Sequence, residues 1–410
     1  MNFSKNLPNF TLYEKKNIYL IFFLPISLLI NSTFTNITTF LIICIFLLDC
    51  KRDKKIFFLK DRNFYFLIGF NIYLILNSVL TGINSDSLIR AVGFFRYILL
   101  AYAIYYYLNI NNRQYEKVIF KFWTFVFIVV TIDLIFEYIF GFNLLKFQSN
   151  YEGRLASFTG DELKIGGFYF AFIMLSTIFI KNANNRIYYV FFIIFLTVSL
   201  LIGERSNFIK IFFMSSLFFL LLKNISLYKK IIVLFLVTLI TSLIVYNNEL
   251  LRNRFIDSTI NLFTLEFSKT RSNHICQYNT GIEIFKDNPI FGVGLKKYRL
   301  ESWKAKYAHP KPDGNVHYCG STHPHQVHFE ILSELGIVGY ILLIGYFIYF
   351  IFKSFKKFKN NDDDYALVST LFIFASLLPI IPSGSFFTSY TATLFWINYS
   401  IALRNFKTFD

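Results

Sequence analysis

Residues 322–352 read THPHQVHFEILSELGIVGYILLIGYFIYFIF. A polar, histidine-rich start runs without interruption into an apolar tract from Ile331 to Phe352 whose only charged residue is Glu334. A helix needs about 20 predominantly apolar residues to cross a bilayer, so the tract reads as a membrane span with histidines at its mouth. Similar tracts recur from one end of the chain to the other. With boundaries good to a few residues, they fall near 17–32, 35–50, 63–82, 91–109, 117–141, 166–181, 187–203, 207–223, 228–246, 331–352, 365–383 and 388–404. The predicted fold is therefore an all-α integral membrane protein of about twelve helices. Residues 1–246 form a nine-span bundle, residues 247–330 a large loop with short helices, and residues 331–410 a three-span bundle.

Composition agrees. The chain of 410 residues is 55% hydrophobic and 16% charged, with a mean hydropathy of +0.49. A soluble domain carries about 25% charged residues. The net charge of +16 would suit a nucleic-acid partner if it were gathered on one face. Instead the basic residues punctuate alternate connections: Lys51, Arg52, Lys54 and Lys55; Arg113 and Lys117; Lys181 and Arg186; Lys223 and Lys229; Lys353, Lys356, Lys357 and Lys359. That alternation follows the positive-inside rule. It predicts a multi-pass membrane protein with both termini cytoplasmic and the 247–330 loop outside. The first apolar run, Ile18 to Ile30, has no small-residue cleavage site after it and reads as a span rather than a signal peptide.

All six histidines lie in the loop: His274, His309, His317, His323, His325 and His328. Imidazole is the side chain that exchanges protons near neutral pH, so this side of the membrane holds the proton-transfer capacity. Two loop segments read as ordered. From Arg271, Ile275, Tyr278, Ile282 and Phe285 recur at helical spacing until Asp287-Asn-Pro289 stops the helix and Gly292-Val-Gly294 turns the chain. After Pro324 a second helical pattern places His325 and His328 on a shared face, with Gly336 and Gly339 deeper, where small residues let helices approach closely. A zinc site on His323, His325 and His328 is disfavoured by Pro324 and by the missing H-E-x-x-H pattern. Cys276 and Cys319 share the loop; a disulfide or two separate thiols fit equally. Within the spans, Arg96 is expected to pair with Asp133 or Glu137. Pro382-Ser-Gly384-Ser385 reads as a bend or a simple turn.

His325-Gln326, nine residues, Gly336, two residues, Gly339 resembles the H-[NSQ]-x9-G-x-x-G pattern of bacterial O-antigen ligases. The upstream Arg271 and Asp287-Asn-Pro-Ile-Phe-Gly-Val-Gly294 are similar to the segment that precedes it in the O-antigen ligase and polymerase superfamily, and Gly203-Glu-Arg205-Ser206 resembles its other arginine position. The resemblance implies a GT-C-like membrane glycosyltransferase. Such an enzyme takes an undecaprenyl-diphosphate-linked glycan as donor on the periplasmic face. It transfers the glycan to lipid A–core or, in relatives, to a growing glycan. It implies His325 as proton acceptor, with Arg205 and Arg271 on the diphosphate, because arginine binds phosphate oxygens bidentately and stays charged. Candidate substrate-binding residues are Arg154, Asp161, Glu162, Gln326 and His328, with Asp161 or Glu162 the alternative base. Structural roles fall to Gly292, Gly294, Gly336 and Gly339. Neither metal nor cofactor is implied. The partners are the lipid-linked donor, the acceptor and membrane lipid, with no nucleic acid. A flippase or other transporter is the rival class, disfavoured because its charges would lie near the midplane in two related halves. A receptor gives no reason for the arginines and histidines at the loop–membrane junction.

Overall fold

A computed structural model describes residues 12–54, 56–109, 114–160, 164–184, 186–222, 226–257, 259–260, 273–310, 316–361 and 363–406. The chain is built from helices: α1 (Leu12–Ile30), α2 (Ser32–Arg52), α3 (Arg62–Leu80), α4 (Ser85–Gly93), α5 (Phe95–Asn109), α6 (Gln114–Phe140), α7 (Ile165–Ala183), α8 (Ile187–Leu201), α9 (Arg205–Leu221), α10 (Leu227–Asn247), α11 (Asn273–Asp287), α12 (Val327–Tyr340), α13 (Tyr346–Asn361), α14 (Asp364–Ser376) and α15 (Ser389–Ala402). One-turn helices fill several connections, and His309–Pro310 pairs antiparallel with Val316–His317 as a two-residue ribbon. Among the described residues, seven helical stretches are long and apolar enough to cross a membrane, and Ile18–Ile30, Ile187–Leu201 and Asp364–Ser376 are shorter apolar helices.

Polar residues punctuate the helices. Asn31 separates α1 from α2 by accepting the Phe34 amide at 2.9 Å, and Asp61 caps α3 through the Asn63 amide at 2.9 Å. Asn84 caps α4, so the third polar break falls before Ser85 rather than at the expected 91. Among the seven long stretches α7 is the most enclosed, with 78% of its apolar window buried, against 11% for α10. With no water in a bilayer core, the apolar side chains left on α10 face lipid. Against α7 packs α15, which also contacts α2, α5 and α14 and buries Ala392, Trp396 and Tyr399 at their centre.

Arg96 does not pair with the acidic residues of α6. Its Nη2 donates to Tyr97 Oη (2.7 Å) and Ser389 Oγ (3.2 Å). Asp133 instead accepts the Leu144 amide (2.8 Å) and Ser157 Oγ (2.6 Å), and Glu137 accepts the amides of Ala156 and Ser157. Both carboxylates thus replace water for the 143–157 connection. The loop helix α11 spans the expected residues but turns a different face inward. The expected Tyr278 is buried, but its buried companions include Gln277, Gly281 and Ile284, while Ile275, Ile282 and Phe285 are only half-buried. The α11 helix packs on α12 through Gly281, whose missing side chain admits Phe329.

Candidate active site

The helix α12 begins where Gln326, itself 1% exposed, accepts the amides of His328 (2.7 Å) and Phe329 (3.1 Å) on Oε1. Gln326 is therefore a helix cap. His328 is likewise held: Nδ1 meets Tyr340 Oη at 2.9 Å and Nε2 meets the Leu377 carbonyl at 2.8 Å. With both ring nitrogens bonded inside the bundle, His328 does not share the face of His325. The expected pairing fails because His325 lies before the helix, in left-handed backbone at φ 54°. That region is costly for a side chain with a Cβ and is retained where surrounding structure over-determines it. Here Ser383 N donates to the His325 carbonyl at 2.8 Å, tying the residue to the 377–388 connection.

Around His325 stand two more histidines. His323 is 4.1 Å away ring to ring, and His274, from the first turn of α11, is 5.0 Å away. Ser321 Oγ lies 3.3 Å from His325 Nε2. Burial, then the charges of His323 and His274, push the His325 imidazole down to about 3. The same burial lowers His323 and His274. All three rings are neutral at pH 7 and available as proton acceptors.

His274 also feels the charges of Arg205 and Arg154, so the imidazoles border a guanidinium cluster. Arg205 opens α9 and donates to Thr259 Oγ1 at 3.0 Å. The Arg154 segment docks on the turn before it, with Leu155 N donating to the Ile202 carbonyl at 3.2 Å. Gly203, at φ 74°, makes this approach feasible, because a Cβ there would strike the Gly153 carbonyl. Arg254, on the one-turn segment after α10, completes the cluster. Burial, then Arg154 and Arg205, push its guanidinium down to about 10. Glu204 lies among them and is raised by burial despite Arg154 and Arg254. Arg271, Asp161 and Glu162 lie outside the described residues.

Asn207 carries the cluster over to a cavity of about 530 Å³, donating 2.5 Å to Glu204 Oε2 from the cavity wall. The polar side of the cavity carries Arg90, Lys164, Lys210 and His323. Its apolar side carries Phe170, Phe372, Leu394 and Phe395. Lys210 is 4% exposed and donates to the Pro382 carbonyl at 3.0 Å. Sequence spacing gives no sign of Arg254 or Lys164. A lysine in the apolar run of α9, however, is the kind of intramembrane charge that marks a site.

Beneath the histidines lies a buried ionic network. Lys296 Nζ reaches Glu330 Oε1 at 3.0 Å, with side-chain exposures of 2% and 0%. Ser385 Oγ bonds both, and the Phe386 amide donates to Glu330 Oε2 at 2.8 Å. Glu334, one turn on, accepts the Lys296 amide at 2.8 Å. The network fastens the 377–388 connection, and through it the His325 backbone, to α12.

The glycines of the motif explain themselves in the same place. Gly336 breaks α12 at φ 65°, ψ −169°. The freed backbone is taken up by the Asn288–Gly294 segment: Val293 N donates to Ser333 O (3.0 Å), Gly294 N to Glu334 O (2.8 Å) and Ile337 N to Pro289 O (2.8 Å). A Cβ on Gly336 or Gly292 would collide with the opposite backbone. Gly336 therefore serves docking of a loop rather than close helix approach. Gly339 does serve close approach, since its added Cβ would lie 3.1 Å from the ring of Tyr73 on α3. Cys276 and Cys319 are disulfide-bonded, with Cα atoms 5.6 Å apart, which ties α11 to the segment leading into His325.

Residues 190–344 match the family described as O-Antigen ligase, a little over a third of the chain. The match runs from α8 past the break at Gly336 and contains Arg205, Lys210, Arg254, Lys296, His325 and Glu330. Curated proteins yielded no match. The matched stretch carries His274, His323 and His325, Arg205 and Arg254, and the Lys296–Glu330 pair, and the match supports a place for this chain in the O-antigen ligase superfamily of membrane glycosyltransferase-like enzymes.

Proposed function

We propose that this protein transfers a glycan from an undecaprenyl-diphosphate donor to an acceptor hydroxyl at the periplasmic face, in the reaction that ligates O-antigen to lipid A–core. The chain would cross the inner membrane about twelve times, with both termini cytoplasmic. The alternation of basic connections supports that topology. The observation that carries the function is the placement of His325, inside the stretch matching the O-antigen ligase family, in strained backbone between a guanidinium cluster and an amphipathic cavity.

The chemistry follows from those groups. A diphosphate leaving an anomeric carbon concentrates negative charge. Arg154, Arg205 and Arg254, with Lys164 and Lys210 on the cavity wall, supply positive charge where it develops. Phe170, Phe372, Leu394 and Phe395 suit an isoprenoid chain. Arg154 Nε and Arg254 Nε are buried without hydrogen-bond partners among the described residues, and phosphate or sugar oxygens would satisfy them. The acceptor oxygen attacks the anomeric carbon, the carbon–oxygen bond to the diphosphate breaks, and the acceptor proton passes to the His325 imidazole. One direct displacement inverts the anomeric centre, and the cationic side chains take the part a metal plays elsewhere. An anionic donor beside His325 raises its depressed basicity toward the working pH.

Purified protein given lipid-linked glycan and lipid A–core should form product without an energy source; a need for ATP or an ion gradient would point to a transporter. Polymerisation of repeat units is the second reading, since it uses the same donor chemistry. A deletion strain separates them: free core with accumulated long lipid-linked polymer marks the ligase, and core bearing one repeat unit marks the polymerase.

A further inference from the structure

A second cavity lies at the other end of the helical stretch that begins beside His325. From Val327 to Lys353 the chain runs in helical segments interrupted only at Gly336, a path of at most about 40 Å at 1.5 Å per residue, comparable to a bilayer with headgroups. At that far end a cavity of about 740 Å³ opens between α3 and α13. Its cationic residues are Lys60, Arg62, Lys353 and Lys357. The one acidic residue on the wall, Asp61, is committed: Oδ1 caps α3, and Oδ2 accepts Tyr102 Oη at 2.5 Å.

Three observations distinguish this cavity from ordinary basic residues at a membrane border. The lysines are ordered rather than splayed into a loop. Lys353 Nζ lies 5.3 Å from the centroids of both Tyr349 and Phe406, and Lys357 Nζ lies 5.2 Å above Phe406. The wall between them is apolar and aromatic, with Phe66 stacked on Tyr346 at 4.5 Å. A π-helical turn, Ile341–Gly345, sits in that wall, and a Cβ at Gly345 would meet no atom within 4 Å. Single π turns cost helix regularity and are found mostly where a site is built.

We propose that this cavity binds the phosphodiester headgroup of an anionic phospholipid from the leaflet opposite the active site. Basic pockets between helices at the cytoplasmic surface are suited to such headgroups. The phosphate sits among Arg62, Lys353 and Lys357, and an acyl chain lies along Phe66 and Ile341. Naming this leaflet as the cytoplasmic one rests on the topology proposed above. The binding itself rests only on the cavity.

Native mass spectrometry of the purified full-length protein tests it, with the protein given an equimolar mixture of cardiolipin, phosphatidylglycerol and phosphatidylethanolamine. Wild type should retain an anionic lipid adduct, and Arg62→Gln/Lys353→Gln should lose at least fivefold of that retention at an unchanged melting temperature. Lys117→Gln/Lys229→Gln removes equal charge outside the cavity and should keep the adduct. Equal retention of all three lipids, an adduct unchanged in R62Q/K353Q, or an equal loss in the control pair would overturn the proposal. Displacement of the lipid by inorganic pyrophosphate at comparable concentration would instead assign the site to a free phosphate ligand and overturn it as a lipid site. Labelling of a cysteine placed at Lys356, from inside or outside sealed vesicles, reports the topology separately, so a failure of that reading is not mistaken for a failure of binding.

Discussion

Lys296 and Glu330 meet at 3.0 Å in an interior that leaves 2% and 0% of their side chains exposed. Removing one partner of a buried pair strands the other charge, at a cost of about 3–5 kcal/mol. Glu330→Ala should therefore lower the melting temperature sharply, measured by thermal unfolding in lipid nanodiscs. Lys296→Met/Glu330→Leu, which removes both charges, should recover much of the loss. A double variant no better than the single one would mean that the pair is not what holds the 377–388 connection.

The backbone of Gly336 makes a separate prediction. At φ 65°, with the Ile290 carbonyl and the Gly292 amide against it, Gly336→Ala adds both strain and a collision. Strained left-handed backbone alone costs about 1–3 kcal/mol. Gly69, in the middle of α3 with nothing near an added Cβ, should accept alanine with a gain of roughly 0.5–1 kcal/mol. Opposite shifts in melting temperature for the two variants are expected.

Much of this was legible in the residues, and the pattern of what was not is physical. The apolar runs and the loop helix with its stop at Asp287-Asn-Pro289 can be read from period and composition. Gln326 and His328 could not be placed that way, because a cap and a surface contact present the same sequence and differ only in what surrounds them. Lys296 lies 34 residues from Glu330, and no local spacing joins them. Glu330 and Glu334, four apart on an apolar helix, do carry a signal: two carboxylates at that depth require partners.

Acid should weaken the fold through the histidines. In the folded protein His274, His323 and His325 have pKa values below their ordinary value, with His325 near 3. The unfolded chain therefore binds more protons than the native one between that range and about 6.5. Their contribution is complete above about pH 6.5 and falls away as the pH drops below it. Melting temperature should decline from pH 7 to pH 5, and the decline should shrink in His274→Gln/His323→Gln. An identical decline in that variant would remove the cluster from the account.

Arg254 lies inside the guanidinium cluster with no bonded carboxylate among the described contacts. Arg254→Gln should raise the KM for lipid-linked donor and lower kcat/KM on the order of tenfold or more, as expected when a donor to developing phosphate charge is removed. Arg254→Lys should restore only part of this, because a point charge does not reproduce the guanidinium fork. Unchanged kinetics in both variants would place the donor elsewhere.

His325 bears the account's central claim. Glycan transfer by purified His325→Ala should be measured with lipid-linked donor and lipid A–core, beside wild type of matched melting temperature. Loss of transfer by at least a hundredfold, in line with the contribution of a general base, is the predicted result. Wild-type transfer by His325→Ala would contradict it.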